Sequence, residues 1–296
     1  MRRLPAGLPA VVLAGLALLT ACQSTGTPGT QGTPGQQAPQ ARDADPAPAD
    51  AHQRAALRLQ LASRYLQAGQ SAIALDEARQ AIALDPDLTD AYHVQALAQM
   101  ALRRPAEAEQ SFRAALSRRQ DDGDLLNNYG WLLCDQGRYA EGLAQLQRAV
   151  TVPSTGGTAR MLTSLGACQL RQGDLAAAHR SLTAALAQPG PMAGAYSSDA
   201  GSDAGSDAGS DAATHAAAHT QLGLLYWKQG DLPRARAEAA QVNAGRYASP
   251  ASLWLGARIA HREGDAAAQQ ALLTQLHKRF PDSRESSAYQ QGAWDE

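Results

Sequence analysis

Few side chains in this 296-residue sequence could do chemistry, and their spacing decides what chemistry that would be. Asp211, His215 and His219 recur every four residues, which on a helix aligns a carboxylate and two imidazoles on one face, as a metal site would need. Alanines surround the set, and His219 falls where the helix needs a packing residue, so the favoured reading is partly buried or solvated histidines and no metal. Cysteines stand at 22, 134 and 168 without a C-x-x-C pair, which leaves no zinc ribbon and no thioredoxin-type redox centre. Helix axes 8–10 Å apart seldom bring unaligned Cα atoms to the ~5.5 Å a bridge requires, so Cys134 and Cys168 are expected as free or semi-buried thiols. No G-x-S-x-G, H-E-x-x-H or G-x-x-x-x-G-K-[ST] string occurs, and no nucleophile clusters with a base. The sequence therefore predicts no enzyme, no cofactor and no small-molecule substrate.

The elements that carry these residues follow from composition. Charged residues make up 18% and aromatics 5% of the chain, so packing must rest on Ala and Leu, which favours closely packed helices. With Lys+Arg 26 against Asp+Glu 28 the net charge is -2, and no global positive field exists to hold a polyanion; a nucleic-acid partner is excluded.

The first residues read as a targeting segment. Arg2 and Arg3 give a positive start, Ala10 to Leu19 an apolar run shorter than a spanning helix, and small residues follow, the layout of a secretory signal over 1–21. Leu19-Thr20-Ala21-Cys22 resembles a bacterial lipobox, which makes Cys22 the lipidation site and the mature N-terminus. Gln23 stands where such lipoproteins carry an aspartate when retained in the inner membrane, so the expected location is the outer membrane, lipid-anchored and facing the periplasm. From Cys22 to residue 50 the chain is rich in Gly, Pro, Thr and Gln without apolar periodicity, which predicts a disordered tether reaching roughly 30 Å.

From residue 51 the chain repeats with the 34-residue period and the small-residue and tyrosine spacing of the tetratricopeptide pattern. Leu61-Ala62 and Tyr65, Tyr92 and Ala96, Tyr129-Gly130, Leu165-Gly166, Leu222-Gly223 and Leu255-Gly256 recur in register, with turns at Gly69, Gly137, Gly173, Gly230 and Gly264. The predicted fold is all-α: a tetratricopeptide-repeat superhelix of about six helix-turn-helix units after the tether. Units one to four occupy 51–188, units five and six 215–283, and a tail 284–296. Val152 to Thr158 is a short insertion. Residues 189–214, with SDAG cycles placing Asp199, Asp203, Asp207 and Asp211 in regular spacing, are expected as a mobile acidic loop whose period does not fit nonapeptide calcium repeats.

A repeat array of this kind binds through its first helices. Their inward positions project Leu59, Leu66, His93, Leu97, Met100, Asn127, Trp131, Cys134, Leu170, Leu224 and Trp227, a mostly apolar set predicted to contact a partner. Trp131 and Trp227 stand outside the position where the repeat needs Trp for packing, which marks them as candidate interface anchors.

The string Asn127-Asn128-Tyr129-Gly130 with Gln136, Gly137, Arg138 and Tyr139, together with the lipobox and the flanking repeats, resembles the PilF/PilW family of type IV pilus biogenesis lipoproteins. The resemblance implies an outer-membrane pilotin of about six repeats, lipid-bound through acylated Cys22, which localises and multimerises the pilus secretin. Gly142 departs from the alanine more usual in that family and is expected merely to loosen its helix. The alternative is a generic repeat lipoprotein that recruits a periplasmic cell-wall enzyme.

Overall fold

In the computed structural model of the chain the described residues are 48–152, 157–188 and 206–294. The leader, Cys22, the tether as far as residue 47 and residues 189–205 of the insertion lie outside them. All described residues belong to one unit, Pro46–Glu296.

Twelve helices pair as six hairpins: α1 (Pro48–Gln67) with α2 (Ser71–Leu84), α3 (Thr89–Ala101) with α4 (Pro105–Arg118), α5 (Gly123–Asp135) with α6 (Tyr139–Thr151), α7 (Gly157–Gln172) with α8 (Leu175–Leu186), α9 (Ser206–Gln229) with α10 (Leu232–Asn243), and α11 (Pro250–Glu263) with α12 (Ala266–Arg279). A short α13 (Arg284–Gln290) follows. The turn inside each hairpin is the same device. The second or third residue past the helix donates its N–H to a carbonyl five residues back, as in Gln70 to Tyr65, Arg138 to Leu133 and Asp265 to Ala260, over 2.8–3.0 Å in all six. This satisfies a carbonyl the helix end leaves open and requires a left-handed residue. Glycine supplies it at 69, 137, 173, 230 and 264, but in the second unit Arg103 takes the position with φ 59°.

Alanines let the paired helices close. Ala62, Ala74, Ala78, Ala96, Ala108 and Ala115 are fully buried. The tightest approach joins α5 to α6, where a methyl group on Gly130 would meet the Gly142 carbonyl at 2.9 Å and one on Gly142 the Gly130 carbonyl at 2.8 Å. Larger side chains fill the space between units: Phe112 of α4 packs with Leu125, Tyr129 and Leu132 of α5, and Leu170, Leu182, Leu222, Leu225 and Ile259 join the fourth, fifth and sixth units.

The order of contact sets the curvature. Each first helix packs on the first helix of the next unit, from α1·α3 through α9·α11, whereas among the described residues the backbones of successive second helices stand farther apart, α2 and α4 being joined by the Arg79–Glu107 ion pair at 3.6 Å. Rows of equal-diameter cylinders with one row in contact and the other spread must bend, and the first helices take the inside of the bend.

The boundary of the long insertion differs from expectation. Helix α9 begins at Ser206, inside the segment expected as a loop, and Ala212 is already buried there. Alanine propensity plus that anchor outweighs the Gly and Ser of the SDAG cycle. The tail opens with α13, capped by Ser283, and Trp294 returns onto α11.

Candidate functional site

The inner face is built by α1, α3, α5, α7, α9 and α11, and the structure divides the predicted contact residues into two groups. Leu59, Leu66, His93, Leu97, Met100, Trp131, Leu224 and Trp227 are half-buried and keep a surface. Asn127, Cys134 and Leu170 are buried, with 3%, 1% and 3% exposure, and are corrected from contact residues to core. Leu170 packs under the fifth unit, and Cys134 is spent in a covalent bond.

That bond corrects the thiol expectation. Cys134 of α5 and Cys168 of α7 form a disulfide with a Cα separation of 5.8 Å. The two positions do face each other. Helices whose axes are ~8–10 Å apart, with Cα atoms ~2.3 Å off each axis, bring facing Cα atoms to roughly 3.5–5.5 Å, close enough for a bridge at the wider axis spacings. Gly142 makes room for the sulfur, since a methyl group there would lie 2.5 Å from the Cys134 Sγ. Its absence of a side chain is thus a packing requirement and not a loosening of α6.

Ion pairs reinforce the same pair of helices at both ends. Arg160 of α7 pairs with Asp124 of α5, and Arg171 of α7 reaches Asp135 at 2.9 Å. The Arg171 guanidinium also lies 4.7 Å above the Trp131 ring. One unit pair later the pattern recurs: Arg258 and Arg262 of α11 stand 4.8 and 5.3 Å from the Trp227 ring of α9. Each inner-face tryptophan therefore carries an arginine from the following first helix, an aromatic plate edged with positive charge.

Near the middle of the face His93 of α3 meets α5. Its Nε2 accepts a hydrogen bond from the Asn128 amide at 2.8 Å, and its ring contacts Phe112. Burial pushes the His93 pKa down, against the opposing pull of Asp122, Asp124 and Asp90, so the ring is the neutral acceptor that this hydrogen bond requires. Asn127 donates to Asn128 at 3.3 Å.

The spaced histidines do not converge. His219 Nδ1 is engaged by Glu238 at 2.6 Å, while His215 is pushed to a lower pKa, first by burial and then by the nearby His219. Among the described residues no group of three His, Cys, Asp or Glu is placed to hold a metal ion. Nor is any described helix long and apolar enough to cross a membrane.

One surface was missed by the repeat spacing. Leu57 and Leu61 of α1 are 60% and 41% exposed, and with Ala83 and Leu84 they line a trough of about 520 Å³ edged by Arg54, Arg58 and Gln80. Leu61 occupies a position that is core in later units; among the described residues no earlier unit covers it. The available signal was its place in the first repeat, where an internal packing position becomes a surface.

Comparison with known proteins gives the array its relatives. The tetratricopeptide repeat family matches residues 59–124 and 93–157. The type IV pilus assembly protein PilF of Pseudomonas aeruginosa is 34% identical over 91 residues, 31% of this chain and 36% of that protein, so the match spans about a third of the relative's length. The crystal structure of PilW, a widely conserved type IV pilus biogenesis factor, superposes with a TM-score of 0.61 at 25% identity, covering 79% of this chain and 97% of PilW. The structure of P. aeruginosa PilF superposes at 0.56 with 23% identity over 82% of this chain and 99% of its own. Residues 59–157 thus match the tetratricopeptide repeat, and the chain is similar to a protein named for type IV pilus assembly and to another named as a type IV pilus biogenesis factor.

Proposed function

We propose that this repeat chain is a noncatalytic scaffold, anchored to the outer membrane through acylated Cys22, that supports type IV pilus biogenesis by binding, localising and multimerising the secretin. What carries the reading is apolar surface left open on an array whose relatives are pilus factors: Trp131 and Trp227 along the inner face, Leu57 and Leu61 on the first unit. A folded core of this size has no internal need to leave two leucines uncovered, and an apolar trough edged by arginine suits an amphipathic segment of another polypeptide.

The anchor and the surfaces would act together. Acyl chains contribute on the order of 0.8 kcal/mol per buried CH2, enough for several chains to hold the protein at the bilayer permanently. Confining scaffold and secretin subunits to one surface raises their effective concentration without any added contact.

The test separates anchor from recognition. Cys22→Ser should leave the protein unacylated, shift it from membrane to soluble periplasmic fractions and reduce assembled secretin multimer. Leu57→Asp and Trp131→Ala should leave acylation and location intact and weaken capture of the secretin. Normal secretin multimers with all three variants would refute the scaffold role, and recovery of a cell-wall hydrolase in place of secretin would favour an adaptor.

A further inference from the structure

Of the four large apolar side chains left most exposed among the described residues, three stand on the first hairpin: Leu57 and Leu61 of α1 and Ile73 of α2, the last 45% exposed. The leucines belong to a stripe. Asp50, Arg54, Leu57, Leu61 and Arg64 recur at spacings of three and four residues, which is one face of α1, and all five are exposed. Asp50, Arg54 and Arg64 make no ion pair among the described residues, whereas their neighbours Arg58 and His52 are engaged by Glu77 and Asp85 of α2. The face is therefore apolar at its centre and carries uncommitted charges of both signs toward its ends.

The order of those charges makes the face complementary to itself. Asp50 and Arg64 each stand seven residues, about two helical turns, from Leu57. Two copies of α1 laid antiparallel about a two-fold axis at Leu57 set Leu57 against Leu57, Asp50 against Arg64 of the second copy and Arg64 against its Asp50. Helix α2 joins the match. The Arg58–Glu77 and His52–Asp85 contacts fix its level against α1, and by that level Asp76 falls beside the second copy's Arg54 and Ala83 beside its Leu61. Other registers lose this. A two-fold midway between the leucines sets Arg54 on Arg64, and an in-register parallel pair sets every charge on its own kind.

We propose that the first hairpin is a homodimer interface, in which a second copy of this chain, antiparallel at α1, fills the trough beside Leu57 and Leu61. A helix of 20 residues is about 30 Å long, and two helices side by side are about 20 Å wide, so each copy offers on the order of 600 Å². The total, about 1,200 Å², stands at the lower edge of stable interfaces, and the dimer exchanges with monomer. Pairing covers the trough that the scaffold reading offers to a partner segment, so dimer and partner compete for Leu57. The inference goes beyond that reading, and its test contains no secretin, so either can fail alone.

Cysteine cross-linking of the full-length protein reads the register. With a mild thiol oxidant, Leu57→Cys should give a covalent dimer on a non-reducing gel, because a two-fold at that residue brings it to its own counterpart. Asp50→Cys and Arg64→Cys should each stay largely monomeric alone and link to one another when mixed before oxidation. Gln147→Cys, exposed on α6 and outside the face, sets the yield from random collision. Adding Asp50→Arg to Leu57→Cys should cut the yield at least about fivefold by opposing like charges, and Arg64→Asp on top of both should restore it. A Leu57→Cys yield no greater than that of Gln147→Cys would overturn the proposal, whether the trough is then filled by earlier residues of the same chain, by another polypeptide or by nothing. So would Asp50→Cys linking to itself as readily as to Arg64→Cys, or a charge reversal without effect.

Discussion

The Cα of Gly142 on α6 faces the Cys134 sulfur of α5 so closely that a single added carbon would stand 2.5 Å from it and 3.0 Å from the Cys134 amide nitrogen. In an open helix Gly→Ala gains up to ~1 kcal/mol. Here that gain is outweighed, because backbone of α5 and not a movable side-chain end lies in the way. Gly142→Ala should lower stability by about 1–3 kcal/mol. Urea unfolding of the oxidised protein measures it, and an unchanged or higher midpoint would show that the helices separate at little cost.

The disulfide closes a loop of sequence separation 34. Chain-entropy reasoning assigns such a loop roughly 3–4 kcal/mol, provided the protein folds where thiols oxidise. Reduction, or paired Cys134→Ala and Cys168→Ala, should lower unfolding stability by that order while the six hairpins still form. Thiol titration of the denatured protein should find neither cysteine free before reduction. Two free thiols in protein taken from an oxidising compartment would contradict the assignment.

Arg103 holds a left-handed conformation, φ 59°, in the one hairpin turn that lacks glycine. A side chain there costs on the order of 1 kcal/mol. Arg103→Gly should raise the thermal midpoint, whereas Gly137→Ala at the equivalent turn, with φ 77°, should lower it. Thermal denaturation of both variants checks the pair, and a shift of the same sign in each would defeat the explanation.

His93 supplies a pH dependence whose sign is fixed. Its folded-state pKa lies below the ordinary 6.5, so the unfolded chain takes up the proton first as pH falls. The stability it contributes is complete above about pH 6.5 and is lost as pH drops through 6.5 toward the folded value. His215 shifts the same way, while Glu109, Glu141, Asp85 and Asp231 are held below the ordinary carboxylate values of 4.5 and 3.8 and act only in stronger acid. Chemical unfolding between pH 8 and about 5 should show falling stability, with a shallower slope in His93→Gln. Parallel curves for the two proteins would remove His93 from the account.

The hairpins were legible because their turns need left-handed residues and their faces need small ones, two demands that leave glycine and alanine in phase along the chain. The second unit was legible through Tyr92, Phe112 and its alanines, since Arg103 gives no turn signal. The cysteine pair escaped because the spacing of helix axes says little until the facing of individual Cα atoms is known. Asn127 and Leu170 escaped because inward positions near the contact between successive first helices are covered by the next unit. Leu57 and Leu61 escaped for the opposite reason: repeat registers describe internal neighbours, and among the described residues the first unit has none on one side.

The backbones of successive outer helices stand apart, and among the described residues the one covalent tie between units joins the third to the fourth. Mechanical stiffness is consequently uneven along the array. Under tension the gaps on the outer row widen first toward either end, while the riveted centre moves as one block. Force applied along the array would pass through that block and be absorbed in the hairpins on each flank.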